Sequence, residues 1–170
     1  MAKISVGVLG ATGTVGQRFI QLLADHPWFE VTAVAASGRS AGQPYAEACH
    51  WLLPSTIPAE VADLTVQPIE PPLDCQLVFS ALPSSVAEPV EKEFARAGYA
   101  VCTNAAPHRM SKDVPLLIPE VNADHTRLIE SQRRQRGWKG LITASANCSG
   151  TQLALALKPL HEAFGLRKVS

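Results

Sequence analysis

What this chain lacks narrows its function before any motif is read. Its 170 residues contain no apolar run long enough to span a bilayer and no charged-then-apolar leader at Met1, so no membrane partner is expected and a cytoplasmic location is the default. Fifteen Lys and Arg balance fifteen Asp and Glu, giving a formal net charge of +0. The one basic cluster, Arg133, Arg134 and Arg136 with Lys139, falls at a polar helix end and reads as a solvated surface. Nucleic acid is therefore not an expected partner. Cysteines 49, 75, 102 and 148 form no Cys-x-x-Cys pair, which argues against a zinc site and a disulfide framework; free thiols and no metal are expected. No internal repeat or low-complexity tract is present.

What is present is organised around residues 4–16. Ile4, Val6, Val8 and Leu9 make a nearly continuous apolar run, and glycines follow at 10, 13 and 16, just before an amphipathic stretch. That order is strand, turn, helix. Gly10 suits a tight turn, Gly13 lets backbone N–H groups approach a pyrophosphate, and Gly16 allows close packing of helix on strand. A glycine-rich turn that merely packs a βα unit is the alternative, but the placement between strand and helix favours dinucleotide binding. No Gly-Lys-Ser/Thr follows, which disfavours a P-loop. Val15, Phe19, Leu22 and Leu23 are expected on the inward face of the first helix.

A second buried strand is expected over Val31, Ala33, Val34 and Ala35. An acid at its end would suit the ribose 2′-hydroxyl of NAD; this chain has Ser37-Gly38-Arg39-Ser40 instead, which suits a 2′-phosphate and hence NADP. Residues 42–72 read as an irregular, proline-rich excursion. Further strands are expected at 76–80, 100–103, 116–118 and 141–143, with helices carrying Val86, Val90, Phe94 and Ala97 inward up to Gly98, and Leu128 and Ile129 up to Gly137. The alternation predicts an α/β fold, Rossmann-like and doubly wound, with a mostly parallel sheet and helices on both faces.

The last strand delivers the chain to Asn147-Cys148-Ser149-Gly150, after which Leu153, Leu157 and Leu160 recur at helical spacing. A thiol at a helix start meets the positive end of the macrodipole, which favours the nucleophilic thiolate. A structural cysteine beside a cap fits that position equally; the combination with a dinucleotide loop suggests a dehydrogenase working through a thioester. The backbone N–H groups of Ser149 and Gly150 are candidate oxyanion donors.

Taken together, Val8-Leu9-Gly10-Ala11-Thr12-Gly13-Thr14-Val15-Gly16, Ser37-Gly38-Arg39-Ser40-Ala41-Gly42, Phe79-Ser80-Ala81-Leu82-Pro83, Asn104-Ala105, His108-Arg109-Met110, Pro119-Glu120-Val121-Asn122 and Asn147-Cys148-Ser149 resemble the aspartate-semialdehyde dehydrogenases of archaea and fungi. The resemblance implies NADP-dependent, reversible conversion of aspartate 4-semialdehyde and phosphate to 4-aspartyl phosphate, in the biosynthesis of lysine, threonine and methionine. It implies Cys148 as nucleophile with Asn147 beside it, and Arg109 with Asn104 as phosphate ligands. For the cofactor it implies Gly10, Thr12, Gly13, Thr14 and Val15 on the pyrophosphate, Ser37, Arg39 and Ser40 around the 2′-phosphate, and Ser80, Ala81 and Leu82 beneath it.

On this resemblance residues 1–148 form the NADP-binding domain, and residues 149–170 form a helix and strand leading into a catalytic and dimerisation domain that the chain does not include. The full-length form is expected to be a homo-oligomer acting on small molecules, and the 170 residues alone to bind cofactor without turnover. None of histidines 26, 50, 108, 125 and 161 matches the family's general base, although His108 could approach Cys148 in space. N-acetyl-glutamyl-phosphate reductase, malonyl-coenzyme A reductase and a non-catalytic NADP-binding module are the alternatives. A short-chain reductase is disfavoured because neither Tyr45 nor Tyr99 has a lysine four residues on.

Overall fold

Parallel strands buried on both faces require continuous apolar runs, and the runs in this sequence supply six of them among the described residues. They are β1 (Ile4–Leu9), β2 (Phe29–Ala35), β3 (Leu77–Ser80), β4 (Ala100–Thr103), β5 (Leu116–Leu117) and β6 (Leu141–Ser145). The computed structural model describes residues 2–169; Met1 and Ser170, the outer ends of the two expected units, lie outside the described residues. All six strands pair in parallel, in the order β2-β1-β3-β4-β6-β5. The chain runs outward from β1 to β2, then crosses back to β3 and continues the other way. The order reverses between β1 and β3, and such sheets take ligands at the carboxyl ends of the strands that flank a reversal.

Among the described residues seven helices surround the sheet: α1 (Thr14–Leu23), α2 (Tyr45–Ala48), α3 (Ala59–Ala62), α4 (Ser84–Ala97), α5 (Pro119–Asn122), α6 (Leu128–Arg136) and α7 (Cys148–Phe164), with a 3₁₀ turn at Ala123–Arg127 between α5 and α6. Side-chain alternation along β1 divides the core in two. Val6 and Val8 join Ile20 and Leu23 of α1, while Leu9 joins Phe94 and Ala95 of α4 on the opposite face. Full burial of Ile20 or Phe94 contributes about 1.5–3 kcal/mol each. The expected Rossmann-like, doubly wound sheet is thus present. Over β3, β4 and β6 the α1 side is more open, and an apolar cavity of ≈ 280 Å³ lies against Phe79, Cys102 and Thr143.

Four expectations change. The inward face of α1 is Gly16, Gln17, Ile20 and Leu23; Val15 and Leu22 are 45% and 58% exposed. The inward face of α4 is Ala87, Glu91, Phe94 and Ala95, with Val86 and Ala97 exposed. In both helices a small residue lets the backbone approach the sheet, and a polar residue comes after it on the same inward face. The excursion 42–72 contains α2 and α3, each only four residues long and so too short to show a period. Beyond α7, residues 165–169 form no strand: Gly165, in the left-handed region at φ 67°, stops the helix, and none of the six strands pairs with residues 166–169.

Candidate active site

The glycine turn is held by its own geometry and by side chains behind it. Gly10 has φ +77°, and a Cβ there would lie 2.9 Å from the carbonyl oxygen of Ala81; at Gly16 a Cβ would fall 2.2 Å from the Gly10 oxygen. Neither position accepts a side chain without displacing backbone. The Gly10 and Ala11 N–H groups donate to the Ala35 carbonyl at 2.8 and 3.0 Å, tying the turn to the end of β2. From behind, the Tyr45 hydroxyl donates to the Ala11 oxygen at 2.8 Å, and the Gln17 amide donates to Thr12 and His50 carbonyls, each at 3.0 Å, while accepting from the Leu52 N–H at 2.8 Å. In front, Gly13 is the N-cap of α1 and gives it no side-chain cap. Its first-turn N–H groups have no intrahelical partner, and Gly13, Thr14 and Val15 are exposed around them. An uncapped helix start with a positive dipole end suits a pyrophosphate.

Two further segments border this turn. The Ser40 N–H closes onto the Ser37 carbonyl at 2.9 Å, and Ser37 and Arg39 are exposed there. The Ala81 N–H donates to the Leu9 carbonyl at 2.9 Å, which sets the end of β3 beside the glycine turn. Of the expected residues 80–82, the Ser80 hydroxyl and the Leu82 side chain are buried in the protein, so this segment leaves chiefly Ala81 and backbone beside the glycine turn.

Cys148 is the first residue of α7 and is exposed. Asn147 is the N-cap, its Oδ1 accepting the Gly150 N–H at 3.3 Å. Gly150 is therefore engaged by the cap, and of the two expected oxyanion donors the Ser149 N–H is the one left without that partner. Asn104, Arg109, Ser145, Asn147, Cys148 and Thr151 line one cavity of ≈ 520 Å³. Arg109 is fixed there by Nε to the Ser145 carbonyl at 3.1 Å and Nη2 to the Asn104 carbonyl at 2.9 Å, and Ser145 Oγ donates to Asn104 Oδ1 at 3.0 Å. Two of the guanidinium's donors are thus used for positioning, and the rest can meet an anion.

The other thiols sit in different surroundings. Burial, then the Asp74 charge, pushes Cys75 up to about 11, and burial also raises Cys49 and Cys102. His108, which shares a loop with Arg109, does not line the Cys148 cavity: it is buried with its ring nitrogen against Glu91.

Residues 5–129 match the family model described as "Semialdehyde dehydrogenase, NAD binding domain". The chain belongs to this family. It is 51% identical over 168 residues to the aspartate-semialdehyde dehydrogenase of Archaeoglobus fulgidus, covering 98% of this chain and 49% of that protein. It is 40% identical, over 98% of this chain and 47% of the relative, to the malonyl CoA reductase (NADP) of Metallosphaera sedula. Among solved structures, aspartate semialdehyde dehydrogenase with NADP from Candida albicans superposes with a TM-score of 0.88 at 44% identity, covering 97% of this chain and 48% of that one. The chain spans about half the length of the relatives it matches.

In this semialdehyde dehydrogenase domain the carboxyl ends of the strands bring the expected residues to one rim as two groups, the glycine turn with segments 37–40 and 80–82, and the Cys148 cavity. Sequence reading did not find Gln17, Tyr45 or Glu91. For Gln17 a signal existed: it lies beside Gly16 on the stripe completed by Ile20 and Leu23, spaced as one helix face. Tyr45 and Glu91 act on residues far away in sequence, and no local pattern marks them.

Proposed function

We propose that this chain is the cofactor-binding and nucleophile-bearing part of an NADP-dependent aspartate-semialdehyde dehydrogenase, which interconverts aspartate 4-semialdehyde and phosphate with 4-aspartyl phosphate. The observation that carries the reading is the exposed Cys148 at the start of α7, sharing a cavity with the fixed guanidinium of Arg109. The same rim of the sheet bears an uncapped helix start that fits a pyrophosphate, with Ser37, Arg39 and Ser40 at the end of β2 suited to a 2′-phosphate.

In the reductive direction the Cys148 thiolate attacks the acyl carbon, phosphate departs toward Arg109, and a thioester forms on the sulfur. The Ser149 N–H is placed to meet the oxyanion. When bound, NADPH would supply hydride to the thioester carbon, the C–S bond then breaking to release the aldehyde and return the Cys148 thiolate. Asn147 caps the helix and so fixes where the sulfur stands, and Asn104 holds the Arg109 loop through Ser145. Among the described residues no histidine lines the cavity, so the general base comes in this reading from elsewhere in the full-length protein. The role in aspartate-family amino-acid biosynthesis, a homo-oligomeric full-length form and a cytoplasmic location belong to the same proposal.

The 40% identity to a malonyl CoA reductase (NADP) favours a second reading, in which the acyl donor is a coenzyme A thioester. Intact-mass analysis after mixing the chain with 4-aspartyl phosphate or with malonyl-CoA separates the two. An aspartyl adduct released by hydroxylamine and lost in Cys148→Ser supports the first. A malonyl adduct alone favours the second. No adduct from either donor, with no NADP binding in titration, overturns both.

A further inference from the structure

Glu91 is a carboxylate on α4 with 0% exposure, and it belongs neither to the glycine turn nor to the Cys148 cavity. A buried carboxylate is unfavourable unless donors meet its lone pairs. Its Oε1 accepts two hydroxyls, Ser80 Oγ at 2.6 Å and Thr103 Oγ1 at 2.5 Å. Its Oε2 faces His108 Nε2 at 3.1 Å, and His108 is only 1% exposed. The approach is off the line of a well-formed hydrogen bond, and neither atom has a hydrogen-bond partner among the described residues. A carboxylate only accepts, so a hydrogen bond between them can be donated only by the ring nitrogen.

The three partners of this carboxylate are placed where the candidate site emerges. Ser80 ends β3 and precedes Ala81; its carbonyl also accepts the Asn104 N–H at 3.0 Å. Thr103 ends β4, and its Oγ1 accepts the Ala105 N–H at 2.9 Å. His108 adjoins Arg109. One side chain thus ties together the segment beside the glycine turn, the Asn104 loop and the Arg109 loop. An apolar residue at 91 would continue the stripe of Ala87, Phe94 and Ala95 and avoid burying a charge. Packing alone does not account for the carboxylate.

We propose that Glu91 and His108 are positioning residues that hold the 80–82 segment and the Arg109 loop in one register, so that the cofactor side and the anion side of the site are set by a single buried carboxylate. The inference rests on the proposed function, in which 80–82 faces NADP and Arg109 faces an anion. Neither residue touches substrate or cofactor. His108 acts on the cofactor side only through Glu91: removing its ring takes away the one nitrogen that Oε2 faces, at 3.1 Å, and loosens the grip of Oε1 on Ser80 and Thr103.

The test compares His108→Leu with His108→Gln in the 170-residue chain, reading NADP affinity by titration and amide exchange residue by residue. His108→Leu should weaken NADP binding about tenfold and speed exchange of the Ala105 N–H while β1 amides stay protected. His108→Gln, which restores an N–H donor, should stay within about threefold of the parent chain in both readouts. Glu91→Gln keeps an oxygen for the two hydroxyls but sets an amide donor against the His108 ring N–H, so it serves as a folded intermediate case if His108→Leu does not fold. Equal effects of Leu and Gln, or faster exchange at Ala105 only in step with β1, overturn the proposal. So does a folded Glu91→Gln chain with parental affinity and parental Ala105 exchange when His108→Leu cannot be folded. If the parent chain binds no NADP, the cofactor reading fails, and Ala105 exchange still decides whether the carboxylate sets the register.

Discussion

The hydroxyl of Tyr45 donates to the Ala11 carbonyl oxygen across 2.8 Å, in a fully buried position behind the glycine turn. Tyr45→Phe removes the donor and leaves a buried oxygen unsatisfied. It should lower stability by about 1–3 kcal/mol in urea unfolding and weaken NADP binding, because the turn loses a rear support. Unchanged values of both would show that the contact contributes nothing to the turn.

Cys148 should be the first of the four thiols to be alkylated. It is exposed at a helix start, whereas burial raises Cys49, Cys75 and Cys102 and keeps them protonated. Brief iodoacetamide treatment at neutral pH, with peptide mass mapping afterwards, should find the label there. Label appearing earlier on another cysteine would remove the main support for Cys148 as nucleophile.

Alkaline pH should destabilise the fold through the thiols that partial burial holds protonated. Cys75 ionises at about 11 when folded against 9.0 ordinarily, so between those values the native state holds a proton that the unfolded chain has released. Its contribution is complete below 9.0 and is lost as pH rises through about 11. Cys102 and Tyr45 are shifted in the same direction by burial. Urea midpoints taken at rising pH should fall over this window, and less steeply in Cys75→Ala.

Cofactor choice should depend on Arg39, which is exposed in the turn after β2. If the turn receives a 2′-phosphate, NADP binds more tightly than NAD, and Arg39→Ala erodes the difference by about 1–3 kcal/mol. Parallel titrations with both dinucleotides measure this; equal affinities in the parent chain would count against NADP preference.

The strands were legible because a parallel sheet covered on both faces leaves nearly continuous apolar runs, such as Val31 to Ala35 and Leu77 to Phe79. The start of α7 was legible for a similar reason: the run ends, and small polar residues take over. The faces of α1 and α4 were not. Hydropathy places Val15, Leu22 and Val86 inward, yet the sheet takes Gly16 and Ala87 for close approach and accepts Gln17 and Glu91 as buried polar groups. Gln17 is met by His50 and Leu52, and Oε1 of Glu91 by Ser80 and Thr103. Such partners lie 11 to 35 residues away, beyond any local window. The reactive rim could therefore be read from its motifs, while the side chains that brace it from behind could not.

The helix that begins with Cys148 runs for seventeen residues, about 25 Å, and buries none of them. It is secured at its root by the Asn147 cap and meets α5, while Phe164 near its far end is 79% exposed. Mechanically it is a lever whose fulcrum lies beside the reactive atom. A displacement of several ångströms at Phe164 becomes, at the sulfur, mostly a small rotation. Alignment at the root, where the Asn147 cap and Arg109 stand beside the sulfur, is thus the sensitive quantity.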